Sequence, residues 1–175
     1  MKMLSGKNVL MVIANNKFRD EEYVEPRKAL EDAGASITVA SSSLNESKGM
    51  LGLTVKPDVL IGNVKEEDFD GIVFVGGGGA AEYFDSPVAH KLARSFYDRG
   101  KLTSAICIAP ATLANAGVLK GKKATAFPSS EAALRNHGAI FIKQDVVSDG
   151  TIVTAVGPQA ANKFGEKLVE ALRNK

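Results

Sequence analysis

Apolar residues in this chain fall in short unbroken blocks, separated by longer stretches with helical spacing. The run 8-NVLMVIA-14 is continuously apolar and rich in β-branched residues, the pattern of a strand buried on both faces. After it, Asp20 is placed to cap a helix that runs to about Ala33, and Gly34 stops that helix where left-handed backbone is usual. Pro26 falls in its early turns. A second strand is predicted at 36-SITVA-40. From Ser41 to Val64 the pattern weakens to an extended excursion, with a hairpin around Gly49 to Gly52, before 57-PDVLIG-62. The third central strand, 71-GIVFV-75, ends in four glycines.

The second half repeats the alternation. Ser86 and Pro87 supply a cap and a first-turn proline for a helix closed by Gly100, with Val88, Leu92 and Phe96 on one face. A fourth strand is predicted at 102-LTSAIC-107, and 145-DVVSDGTIVTA-155 reads as a hairpin turning at Asp149-Gly150. The last helix starts at Pro158, with Ala161, Phe164, Leu168 and Leu172 as its core stripe. This order predicts an α/β sandwich around a mostly parallel sheet. Ligands of such sheets bind beyond the carboxyl ends of the strands. Three loops leave that edge: Asn15 to Glu22, Gly76 to Gly79, and Cys107 to Pro110.

The bulk numbers narrow the function classes. The 175 residues fit one domain, 1–175, with a sizeable core. A net charge of +2 gives no basic footprint for nucleic acid, and 120-KGKK-123 reads as a solvated loop. One cysteine allows neither an internal disulfide nor a cysteine-rich zinc site. The run 9-VLMVIA-14 is too short to span a bilayer and lacks a cleavage site after it, so a cytoplasmic, reducing compartment is expected. The triplet 45-NES-47 matches a glycosylation sequon, which carries no meaning in that compartment.

Candidate chemistry gathers at the three loops. Gly76-x-Gly78-x-x-Ala81 is a loose match to a dinucleotide fingerprint, but it follows the third strand and no acid ends the next one. The segment Gly117 to Lys123 has the wrong spacing for a P-loop. The four glycines are either a tight turn or a set of bare amides aimed at a reacting atom. The choice depends on Cys107. A lone cysteine in an apolar strand is usually a buried, inert hydrophobe. Against that, Ala105-Ile106-Cys107-Ile108-Ala109 is small-x-nucleophile-x-small, the steric pattern of a nucleophile elbow. Pro110 suits a first helical position, which puts the thiol where a helix N-terminus lowers its pKa. The pattern leaves both readings open. Neither histidine falls at the carboxyl edge: His90 lies within a helix and His137 at a helix end. Asp20, Glu21 and Glu22 are better placed; helix-dipole charge accounts for two of them, and a third carboxyl, protonated by burial, could donate to the sulfur.

The stretches 20-DEEYVEPRKALEDAGASITVA-40, 69-FDGIVFVGGGG-79, 105-AICIAPATLANAGVLKGKKAT-125 and 157-GPQAANKFGEKLVEAL-172 resemble the DJ-1/PfpI (ThiJ) superfamily over nearly the whole chain. The resemblance implies a flavodoxin-like three-layer sandwich and a homodimer or higher homo-oligomer. It implies that Cys107 is the elbow nucleophile and Glu22 the carboxyl that hydrogen-bonds its sulfur. Gly77 and Ile108 are then the residues whose main-chain N–H groups form the oxyanion site. The chain departs from the pattern in three places. PfpI-type peptidases have histidine directly after the cysteine, where Ile108 stands. DJ-1 proteins carry a histidine in the segment matching 124-ATAFPSS-130, where Phe127 stands. Peptidase-like members use an acid from a neighbouring subunit, and Glu82 matches it only with a one-residue shift.

Taken with these departures, the resemblance implies three functional expectations. The first is a cysteine-dependent enzyme acting on small reactive carbonyls such as methylglyoxal, like a glyoxalase or deglycase, with no metal or organic cofactor. The second is a redox-sensing or chaperone-like stress protein without turnover. The third is an intracellular cysteine peptidase, which Ile108 weakens.

Overall fold

The computed structural model describes residues 2–175. In chain order its elements are β1 (Asn8–Val12), β2 (Asn16–Phe18), α1 (Asp20–Asp32), β3 (Ser36–Ser41), β4 (Ser47–Gly49), β5 (Thr54–Val55) and β6 (Val59–Leu60). There follow β7 (Gly71–Phe74), α2 (Pro87–Asp98), β8 (Leu102–Ile106), α3 (Pro110–Asn115), β9 (Lys123–Ala124), α4 (Glu131–Asn136), β10 (Ile140–Phe141), β11 (Val146–Asp149), β12 (Ile152–Ala155) and α5 (Ala161–Arg173).

Seven strands form the central sheet, in the order β11-β12-β8-β7-β1-β3-β6. All neighbours run parallel except β11, which returns antiparallel on β12. Taken in chain order, the strands β3-β1-β7-β8-β12 read 2-1-3-4-5, the flavodoxin-like arrangement. Winding reverses between β1 and β7, and the crevice beyond their carboxyl ends is where such sheets bind ligands. Side chains of β1 alternate between two core layers. Val9 and Met11 join Leu30 of α1 and Phe164 and Leu168 of α5; Leu10 and Val12 join Leu92 and Phe96 of α2 and Leu113 of α3. All are buried, each contributing about 1.5–3 kcal/mol. Helices on both faces explain why β1 is apolar without a break. Among the described residues, no helix is long and apolar enough to cross a membrane.

Several expectations need correction. Asp20 does not cap α1: Arg19 holds the cap position, without a side-chain cap bond, and Asp20 is the first helical residue. The Asn15–Glu22 segment is not a plain loop, because β2 pairs there with β4. Val88 is 45% exposed, so the buried stripe of α2 is Ala89, Leu92, Ala93 and Phe96. Residues 57–62 supply only the two-residue edge strand β6 before a 3₁₀ turn. The β11–β12 hairpin pairs Asp149 with Ile152, so the turn is Gly150-Thr151, one residue later than predicted. Pro158 opens a 3₁₀ turn, and α5 follows from Ala161. The β4–β5 hairpin, the Ser86 cap on Ala89 N–H (3.2 Å) and the α5 stripe match the sequence pattern.

Candidate active site

Cys107 stands at a sharp bend between β8 and α3. Its φ is +66°, one of two positive values on non-glycine residues among those described. The strand delivers it with its N–H donating to the Ala155 carbonyl at 2.9 Å, and Ala109 N–H then donates back to Ile106 at 3.1 Å as the chain reverses. A side chain in left-handed backbone costs about 1–2 kcal/mol and persists only where its surroundings hold it. Here Ala105 and Ala109 are buried on either side, small enough for strand and helix to close on the bend. The residue itself is 8% exposed.

Two main-chain N–H groups, those of Gly77 and Ile108, face the sulfur and favour its negative form. Each belongs to a peptide unit anchored at its other end. The carbonyl of Gly76, in the peptide that carries the Gly77 N–H, accepts from Arg19 N–H at 2.9 Å. The carbonyl of Cys107, in the peptide that carries the Ile108 N–H, accepts from Phe127 N–H at 2.7 Å. Both donors are therefore oriented, and polarised, by a second hydrogen bond. The first two glycines of the run are needed for this. Gly77 has φ +102°, and a methyl group on Gly76 would collide with Glu22 Oε1, Cys107 Cβ and the Ile106 carbonyl oxygen.

The three consecutive acids take three roles. Asp20 is buried and accepts from the N–H groups of Leu51 (3.0 Å) and Leu53 (2.9 Å). Glu21 receives the Arg19 guanidinium in a two-pronged pair, Nε to Oε1 and Nη2 to Oε2, both at 3.0 Å. That hydrogen bonding holds the Glu21 carboxyl below its ordinary range. Glu22 is fully buried. The Cys107 thiol and the Gly76 N–H face its carboxyl, yet neither oxygen closes a hydrogen bond of ordinary geometry.

Burial pushes the Glu22 carboxyl up to about 8. Burial also pushes the Cys107 thiol up to about 12, with a negative Glu22 as the next cause. The expected lowering of the thiol by a helix N-terminus is thus overturned: α3 has six residues, and the water-poor pocket outweighs it. At neutral pH both groups hold their protons. A protonated carboxyl beside sulfur offers one oxygen as donor and the other as acceptor, so it can pass a proton rather than repel a thiolate.

The structure brings together Cys107, Glu22, Gly77 and Ile108, and leaves the histidines outside. His90 Nε2 lies 2.7 Å from the Phe84 carbonyl oxygen, and His137 Nδ1 lies 2.9 Å from that of Ala133. Glu82 accepts from Asn15 N–H at 2.7 Å, within its own chain. Phe127 contributes its main-chain N–H to the elbow and leaves its ring 41% exposed. Sequence reasoning missed Arg19, whose N–H anchors the glycine loop, and Met50, whose Sδ accepts from Gly78 N–H at 3.5 Å. Among the described residues, no three His, Cys, Asp or Glu side chains converge to hold a metal.

The model of the DJ-1/PfpI family matches residues 7–171. An uncharacterized protein of Methanocaldococcus jannaschii is 41% identical over 172 residues, 97% of this chain and 84% of that one. The deglycase PfpI of Pyrococcus furiosus is 29% identical over 164 residues, 94% of this chain and 99% of its own. The crystal structure of a ThiJ/PfpI domain protein from Brachyspira murdochii superposes with a TM-score of 0.94 at 34% identity, covering 97% of this chain and 99% of that one.

Proposed function

Since this chain belongs to the DJ-1/PfpI family, with relatives named deglycases, we propose that it is a cysteine-dependent enzyme acting on small reactive carbonyls such as methylglyoxal. The observation that carries this reading is the buried, unpartnered Glu22 carboxyl facing an elbow thiol between two fixed amides. Cys107 sulfur adds to the aldehyde carbon. One Glu22 oxygen takes the thiol proton while the other gives its own to the new alkoxide, and the Gly77 and Ile108 N–H groups hold the developing charge. The product of this step is a hemithioacetal, and the carboxyl ends as protonated as it began. Glu22 next gives its proton up to solvent; the carboxylate takes the proton from the hemithioacetal carbon and returns it to the adjacent carbonyl carbon, while the hydroxyl proton passes to that carbonyl's oxygen, leaving a thioester of a 2-hydroxy acid. Water hydrolyses it to a 2-hydroxy acid and free thiol, so the net reaction is 2-oxoaldehyde plus water to 2-hydroxy acid, the aldehyde carbon being oxidised as its neighbouring ketone is reduced.

The test is methylglyoxal turnover by wild type, Cys107→Ala and Glu22→Gln, with loss in both variants expected. Equal rates in all three would end this reading. Turnover should also rise with pH toward about 8, where Glu22 loses its proton.

A second reading, an oxidant sensor without turnover, draws support from the same two N–H groups, which suit the oxygens of a sulfinate on Cys107. A stable gain of two oxygens after mild peroxide, with no carbonyl turnover, would favour it. A peptidase is disfavoured by Ile108 and by the distant engagements of His90 and His137. Homo-oligomerisation, in a cytoplasmic setting, belongs to the first reading. Val24, Met50, Leu51 and Leu53 expose apolar surface on α1 and the neighbouring hairpin, and a monomeric mass by light scattering would count against association.

A further inference from the structure

We infer that the β4–β5 hairpin is a clamp on the oxyanion loop, with Met50 and Asp20 as positioning residues for the Gly77 amide. The inference rests on the proposed reactivity of Cys107, but it concerns residues outside the reacting pair. Gly77 holds the cap position of the 3₁₀ helix Gly78–Tyr83 and has no side chain to satisfy that helix's first N–H groups. The Gly78 N–H is satisfied from outside, by the Met50 thioether at 3.5 Å. The Gly77 carbonyl, in that same peptide unit, accepts from Ala80 N–H at 3.0 Å. With the Gly76–Gly77 peptide held by Arg19, both peptides flanking the Gly77 α-carbon are fixed, and with them the direction of the N–H that favours the negative form of the sulfur.

Met50 is held in place by the hairpin. Its own N–H donates to the Phe18 carbonyl at 2.8 Å. Asp20, two residues before Glu22 on α1, takes the Leu51 and Leu53 N–H groups at 3.0 and 2.9 Å. The fit is close: a Cβ on Gly49 would meet the Asp20 carboxylate, with Cγ at 2.7 Å. One helix thus carries both the acid that faces the thiol and the acid that seats the hairpin.

The test is the rate of Cys107 alkylation by iodoacetamide at fixed pH, which reports thiolate stabilisation whether or not the protein turns over any carbonyl. Met50→Leu keeps the bulk and removes the acceptor. It should slow alkylation by about threefold to tenfold, the worth of one hydrogen bond. Met50→Gln restores an acceptor and should stay within about twofold of wild type. Asp20→Asn should slow alkylation as Met50→Leu does. The double variant should be no slower than the slower single, since both act through one clamp. Met50→Leu alkylating at the wild-type rate would overturn the inference. So would Met50→Gln falling as far as Met50→Leu, or effects that multiply in the double variant. Loss of methylglyoxal turnover with normal alkylation in every variant would instead count against the clamp while leaving the reactive thiol intact.

Discussion

Replacing Glu22 by glutamine should convert a pH-dependent stability into a flatter one. The carboxyl is fully buried, and neither of its oxygens has a partner. Burial moves its pKa from the ordinary 4.5 to about 8. Below 4.5 the group is protonated both folded and unfolded, and titration costs nothing. Between 4.5 and about 8 the folded chain keeps the proton that the unfolded chain releases, so stability falls as pH rises. At about 1.4 kcal/mol per pH unit, that interval amounts to roughly 5 kcal/mol. Glutamine is neutral throughout and contributes none of this slope. In urea unfolding, Glu22→Gln should therefore gain on wild type by about 3–5 kcal/mol between about pH 5 and about pH 8.5. Both proteins are compared at one concentration, because association would add its own term. Titrations of groups that do not face Glu22 cancel in the difference. A gap between the two that stays constant with pH would refute the reasoning, since the buried carboxyl would then titrate alike in both states.

Three further outcomes follow from the same geometry. At about pH 9, with Glu22 ionised, iodoacetamide should modify Cys107 more slowly in wild type than in Glu22→Gln, because a carboxylate beside the sulfur opposes thiolate formation; equal rates would show that the carboxyl does not face the thiol. Gly76→Ala should lose more than about 2 kcal/mol in thermal unfolding, since its methyl group meets Glu22, Cys107 and Ile106 at once, whereas Gly62→Ala, with open space around it, should not. Ser86→Ala should lose about 1 kcal/mol by uncapping α2 while leaving the alkylation rate unchanged, and a slowed thiol would contradict the separation of cap and site.

The sheet was legible because strands buried on both faces leave unbroken apolar runs, as at residues 8–14 and 71–75. The α5 stripe was legible because Ala161, Phe164, Leu168 and Leu172 keep the three- and four-residue spacing of one face. The α2 stripe was misread because a strict spacing of four drifts around the helix, carrying Val88 into solvent while Ala89 turns inward. The elbow was legible in the small residues around Cys107, but the direction of its thiol shift was not, since that depends on how deeply the pocket excludes water. Asp20 looked like a cap because capping and loop-seating use the same short carboxylate; only the placement of Leu51 and Leu53 separates them. The tie from Arg19 to Gly76 and the tie from Phe127 to Cys107 use main-chain N–H groups, which almost every residue supplies, so no side chain announces them.

Those two ties have a consequence for how the site can diversify. Both donors aimed at the sulfur, and both groups that anchor them, are backbone. Among the ordinary substitutions only proline deletes a backbone N–H. Ile108, Phe127 and Arg19 can each change side chain while the electrostatic seat they help to build stays in place. Under the proposed reading, the capacity to hold a negative charge comes with the path of the main chain, and the choice of molecule is left to the side chains around it.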